Sequence, residues 1–245
     1  MRVYLGVNRY APLLGIIGDM GWTPGAIRRK IETIRLWNRL IEMDENRITK
    51  KVFMDIYNQN LENTWCFYVK TIFSDLEEEN VYRSVCTYDL KILKDKLTLA
   101  YQSKWTEQIQ IKPKLRFYKR YKSLPNVEDY VQLNMTCVER SYLCQLRLGI
   151  LPIAIETGRY KSIPLPSRLC EICNENVIED EIHILFHCTK YEKERKIWYR
   201  NINLNTTIYN YTIDELLNYA FQFPRQLAKY LCKIIEVRRN TLYEN

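Results

Sequence analysis

Residues 24–41 read PGAIRRKIETIRLWNRLI, in which Ile27, Ile31, Ile34, Trp37 and Ile41 step by three or four positions. That spacing gathers the apolar side chains on one face of a helix, and Pro24 stands where a helix can begin without losing a hydrogen bond. The other face carries Arg28, Arg29, Arg35 and Arg39, an ordinary solvated surface that also suits a phosphate backbone. Outward from this helix, five of the seven glycines fall between Gly6 and Gly25, and the next is Gly149. A stretch so poor in glycine is what successive helices leave. The glycine-rich beginning is expected to be a turn-rich lead-in. Further helices are predicted over residues 47–58, 64–76 and 89–109, with Asp75, Glu77, Glu78 and Glu79 as a solvated turn between two of them.

After Pro125 the positions Val131, Met135, Val138, Tyr142 and Leu146 predict one helix with an apolar face, to which Cys137 adds. Gly149 ends it. Pro152, Gly158, Pro164 and Pro166 then predict an extended connector rather than a helix or a central strand. Near the C-terminus, Thr212-Ile213-Asp214-Glu215 has capping-box spacing, and Pro224 can open a last helix through Leu227, Leu231, Ile234 and Ile235. Strand signals are nearly absent, so the chain reads as mostly α.

Between the connector and the last helices stands Cys170-Glu171-Ile172-Cys173, followed after nine residues by His183 and after four more by Cys188. A Cys-x-x-Cys turn lets two thiolates face one point, and a short following helix can bring two further ligands to complete a tetrahedron around zinc. His183 and His187 are the two histidines of the whole chain, and both fall inside this cluster. Helical spacing slightly favours His187 as fourth ligand, being one turn from His183, whereas Cys188 is the softer donor. A closed site of four protein ligands is structural: it leaves no open position for substrate. Lys190, Lys193, Arg195 and Lys196 follow closely and would offset a net negative centre. A thioredoxin-like redox role is disfavoured, because no strand–helix–strand pattern surrounds the pair. The organisation expected is therefore a helical domain over residues 1–150, a connector over 151–169, a small zinc knuckle over 170–200 and a helical C-terminal module over 201–245.

Lys and Arg number 37 against 29 Asp and Glu, a formal charge of +8, which favours polyanionic partners. Within residues 104–122 seven basic residues face one acid, Glu107, with Trp105, Phe117, Tyr118 and Tyr121 among them. Ammonium and guanidinium groups neutralise phosphates while exposed rings stack on bases, a combination suited to single strands. Lys104, Trp105, Lys112, Lys114, Arg116, Tyr118, Lys119, Arg120 and Lys122 are the expected nucleic-acid contacts. No carboxylate pair for two-metal nucleotidyl transfer, Gly-rich phosphate loop or Gly-x-Ser-x-Gly elbow is present, so no enzyme activity is expected of this chain.

The apolar run over residues 11–17 is short and broken by Gly15, which is unlike a secretory signal, and no stretch approaches the roughly 20 apolar residues of a membrane span. The expectation is a nuclear or cytoplasmic, unsecreted protein with thiols kept reduced and no membrane partner. The sequons at Asn134, Asn205 and Asn210 then read as chance matches.

Leu146-Arg147-Leu148-Gly149, Ile155-Glu156-Thr157-Gly158-Arg159, the Cys pair, Glu179-Asp180-Glu181-Ile182-His183, Cys188 and Tyr191 resemble the C-terminal region of non-LTR (LINE-type) retrotransposon reverse transcriptases. Upstream, Tyr4-Leu5-Gly6-Val7, Gly21-Trp22-Thr23-Pro24 and Trp37-Asn38-Arg39-Leu40 resemble the stretch beyond the polymerase palm and thumb. The resemblance implies a Cys-Cys-His-Cys zinc knuckle made of Cys170, Cys173, His183 and Cys188, and so selects Cys188 over His187. It further implies an RNA or single-stranded DNA partner. The catalytic carboxylates of that family are missing, so the chain is expected to be a truncated, non-catalytic fragment, with a separately encoded polymerase as a further partner. The competing expectation is a zinc-stabilised helical protein-interaction module that binds no nucleic acid.

Overall fold

The structure, a computed structural model, describes residues 1–204 and 211–243. The sequons at Asn205 and Asn210 lie outside the described residues. These residues are mostly α-helical, with no strand beyond one isolated antiparallel bridge between Leu169 and Ile178. None of their helices is long and apolar enough to cross a membrane. The chain divides into two compact units, Met1–Trp22 with Trp105–Asn245 and, separately, Thr23–Lys104. The expected break at Gly149 falls inside the first of these.

The second unit contains α3 (Gly25–Ile41), α4 (Ile48–Gln59), α5 (Trp65–Asp75), α6 (Glu79–Arg83) and the beginning of α7 (Leu90–Ile111). Pro24 caps α3, as the sequence pattern led one to expect, and the Thr64 hydroxyl accepts from the Phe67 N–H at 3.2 Å to start α5. The core forms around fully buried Trp37, which stacks on Tyr82 at 5.3 Å and meets the edge of Phe53 at 5.5 Å. Its indole N–H donates to the Cys86 carbonyl at 2.9 Å, so the one polar atom of the ring is satisfied.

The first unit contains α1 (Arg2–Leu5), α2 (Leu13–Met20), the end of α7, α8 (Asp129–Gln132), α9 (Cys137–Arg147), α10 (Ala154–Tyr160), α11 (Glu192–Asn201), α12 (Ile213–Phe221) and α13 (Pro224–Tyr243). Helix α13 packs along α9 and also receives α11 and α12. Leu227, Leu231, Ile234 and Ile235 are among its buried residues, as expected, and Thr212 and Glu215 form the expected capping box.

Three expectations are corrected here. The lead-in is helical, and two of its glycines serve close packing rather than turning: a Cβ on Gly15 would lie 2.3 Å from Leu148 Cδ2, and one on Gly18 2.4 Å from Trp105 Cζ2 and 2.5 Å from the Tyr118 oxygen. The helix expected after Pro125 is broken, because Leu133 is extended (φ −70°, ψ 143°) and α9 restarts with its own capping box at Thr136 and Glu139. The restart changes the helical phase, leaving Val138 and Cys137 exposed instead of in the core. The connector contains α10, and its Gly158 is buried within that helix because a Cβ there would meet Arg168 Cγ at 2.7 Å. Accordingly, Gly18→Ala is expected to destabilise the chain by about 1–3 kcal/mol, despite the better helix propensity of alanine. A urea midpoint equal to that of the parent would contradict this.

Inside the first unit, α2 is tied to α9 by a buried ion pair. Arg147 donates from Nε to Asp19 Oδ2 at 2.9 Å and from Nη2 to Oδ1 at 3.1 Å, a two-pronged geometry that fits guanidinium to carboxylate. The Tyr118 and Tyr130 hydroxyls donate to the same carboxylate at 2.9 and 2.8 Å. Arg147 also pairs with Glu128 at 2.9 Å and lies against the rings of Tyr121 and Phe221. Burial, with the Asp19 charge adding to it, pushes the Tyr118 hydroxyl far above its ordinary value, so it remains a neutral donor.

Candidate metal centre

The centre is built on a small hairpin. The Cys170 N–H donates to the Val177 carbonyl at 2.8 Å, and the Glu179 N–H to the Arg168 carbonyl at 3.0 Å, either side of the Leu169–Ile178 bridge. Asn174 and Asn176 close the turn with φ of 57° and 54°, a left-handed conformation that asparagine tolerates well. Asp180 then starts the helical segment by accepting from the His183 N–H at 2.8 Å, an N-cap contact.

Residues His183–His187 form a π-helical turn, in which the Cys188 N–H reaches the His183 carbonyl at 2.8 Å, five residues back. The helical segment widens over this turn and ends at Cys188, whose backbone is extended (φ −55°, ψ 120°). A turn of this width brings positions five apart to the same side. His187 is left exposed, outside the cluster. The sulfurs of Cys170, Cys173 and Cys188 and a ring nitrogen of His183 all lie within 4.8 Å of one another. These four residues can therefore hold a metal ion. The Cys173 Sγ to His183 Nε2 separation is 3.4 Å, close to the roughly 3.6 Å between sulfur and nitrogen in a tetrahedron with zinc bond lengths. The donors thus fit a thiophilic ion by type and by spacing.

Cys170, His183 and Cys188 are buried, and Cys173 is half-buried. A hydrogen bond to Cys188, assisted by burial, pushes the Cys170 thiol up to about 12, while the same contact lowers Cys188. Around the ligands lies a layer of contacts that the sequence did not disclose. Fully buried Glu179 accepts from the Ala154 N–H at 2.6 Å and from Arg238 Nη2 at 3.0 Å, and its other oxygen lies 3.8 Å from Cys170 Sγ. Burial raises its carboxyl, against the pull of Arg238. Arg195 donates to the Cys188 carbonyl at 3.0 Å. Arg238 is more than sixty positions from the first ligand in sequence, and only tertiary packing brings it there. Glu179 opens the Glu179–His183 run, yet nothing in its spacing signalled this supporting contact.

The basic and aromatic segment is arranged otherwise than expected. Trp105 and Tyr118 are buried and cannot stack on bases: the indole donates to the Leu14 carbonyl at 3.0 Å, and the phenol serves Asp19. Phe117 is buried too, and Tyr121 packs 4.5 Å from Phe221. Lys122 is likewise buried, held by the Asn126 carbonyl at 2.6 Å, by Asn126 Oδ1 at 2.7 Å and by Glu128. Arg116 pairs with buried Glu181 at 2.7 Å, Arg120 with Asp214 at 2.8 Å, and Lys114 donates to the Tyr10 carbonyl at 2.9 Å. The rings of the segment pack inward, and Lys114, Arg116, Arg120 and Lys122 are engaged by carboxylates and carbonyls of the chain itself. Lys104, Lys112, Lys119 and Arg120 are exposed.

No known protein family, no curated protein and no solved structure matches the chain.

Proposed function

We propose that Cys170, Cys173, His183 and Cys188 hold one structural zinc ion, and that the helices beside it form a non-catalytic surface for single-stranded RNA or DNA. The carrying observation is the closed cluster of three sulfurs and one imidazole. Zinc bound by four protein ligands supplies a cross-link and no open coordination position. Native mass spectrometry is expected to find one zinc per chain, lost in Cys188→Ser and kept in His187→Ala.

The nucleic-acid reading is supported by the groove between α11 and α13, about 640 Å³ in volume. Lys193, Lys229 and Lys233 border it against one acid, Glu194, together with the amides of Asn201 and Gln226. Lys233 is shared with Glu236, whereas Lys193 and Lys229 are exposed and have no carboxylate partner among the described residues. Phosphate neutralisation therefore supports this reading, in place of ring stacking. The retroelement-like motifs support the same partner and a polymerase encoded elsewhere.

Affinity for a labelled single strand is expected to fall linearly with the logarithm of salt, and Lys193→Gln with Lys229→Gln to reduce that slope by about 0.7 for each phosphate no longer neutralised. A flat salt dependence overturns the reading. The second reading, a protein-interaction module stapled by zinc, is favoured by the inward packing of the rings of residues 104–122 and predicts that flat result. Primer extension by this chain alone would refute the non-catalytic assignment.

A further inference from the structure

We infer that the pocket between α10, the hairpin approach and the end of α13 binds a phosphate group. The pocket has a volume of about 310 Å³ and is lined by Lys161, Arg168 and Arg238, with Ser167 beside them and Glu171 as the one acid of the lining. Arg168 is fixed in place: Nε donates to the Ile163 carbonyl and Nη1 to the Ile155 carbonyl, each at 2.9 Å. Its remaining nitrogen, Nη2, has no partner among the described residues. Gly158 makes this pose possible, since a Cβ there would occupy the path of the Arg168 side chain, 2.7 Å from Cγ.

Arg238 adds a second, independent sign. It is buried, with Nε on the Pro152 carbonyl at 3.2 Å and Nη2 on Glu179 at 3.0 Å, while Nη1 is buried with no hydrogen-bond partner among the described residues. That nitrogen is closed off from solvent, so Arg238 contributes positive charge to the pocket wall rather than a free hydrogen-bond donor. Lys161 is exposed at the rim, and neither its ammonium nor the Ser167 hydroxyl has a protein partner among the described residues.

Arg168 Nη2, the Lys161 ammonium and the Ser167 hydroxyl supply donors while Arg238 adds charge from the wall, which suits a multiply charged oxyanion better than a single carboxylate. The volume lies at the small end for ligand pockets, enough for a phosphate group with a small attachment. Arg238 links the pocket to the metal centre through Glu179, which touches both Arg238 and Cys170. This inference does not rest on the nucleic-acid reading, because the phosphate can belong to a strand or to a small phosphorylated molecule.

The test is calorimetric titration of the metal-loaded full chain with inorganic phosphate at constant ionic strength, repeated with Lys161→Glu and Ser167→Ala. One saturable site is expected, weakened roughly tenfold or more in Lys161→Glu, with helicity unchanged. Absence of saturable binding overturns the inference. Binding unaltered in both variants overturns it as well, marking an adventitious ion only. Competition by a 5′-phosphorylated oligonucleotide, and none by its 5′-hydroxyl counterpart, assigns the phosphate to a strand end. Phosphate binding without such competition assigns it to a small molecule. Oligonucleotide binding abolished in Lys193→Gln with Lys229→Gln but kept in Lys161→Glu separates the groove from the pocket.

Discussion

Chelation of the metal from the full chain at neutral pH is expected to open the segment after Leu169 to protease and to remove part of the helical circular dichroism. Metal ligation in small zinc domains contributes about 10–16 kcal/mol of apparent free energy, as large as the roughly 5–15 kcal/mol that holds a whole domain folded. Here the loss spreads beyond the ligands. The Tyr230 hydroxyl of α13 donates to the Leu185 carbonyl of the π-helical turn at 3.1 Å, and Arg238 of the same helix pairs with Glu179. Collapse of the centre leaves both donors without acceptors, so α13 loosens with it. The unit Thr23–Lys104 is expected to resist, because the core around Trp37 draws no residue from the metal centre. A chelated chain in which the segment after Leu169 stays protected would show that the fold does not depend on a metal at this centre.

Asp19→Ala is expected to cost about 3–5 kcal/mol, the range for removing one member of a buried ion pair. Arg147 is only 2% exposed, and the substitution takes away its two-pronged acceptor together with the acceptor of both the Tyr118 and Tyr130 hydroxyls. Glu128 still compensates part of the charge, which places the loss nearer the lower end. Replacing both members, as in Asp19→Leu with Arg147→Met, is expected to restore much of the stability, since no unpaired charge then remains buried. Urea denaturation of the two single variants and the double variant measures this directly. Additive losses across the cycle would mean that the two residues stabilise the unit independently of each other.

Much of the helical plan was legible because local chemistry states it: Pro24 and Pro224 open helices, Thr212 caps one, and the apolar steps of α3 point at Trp37. The metal ligands were legible for the same reason, being close in sequence and of distinctive type. What stayed hidden depends on partners far along the chain. Gly15 and Gly18 look like turn residues, yet the space of their missing side chains is filled by Leu148, Trp105 and Tyr118. The basic segment looks like a surface for nucleic acid because composition does not reveal that Glu181, Asp214 and Glu128 stand ready to receive its cations. Val138 followed a helical phase that Leu133 interrupts.

The widened turn at His183–His187 also bears on how such centres are recognised. The wide turn accommodates five residues between its ends while keeping the His183 and Cys188 side chains in one cluster. A search template that admits only regular α-helical intervals between the third and fourth donors would choose exposed His187 and discard Cys188. Shortening the turn by one residue would bring His183 and the cysteine to an ordinary four-residue helical interval on the same side.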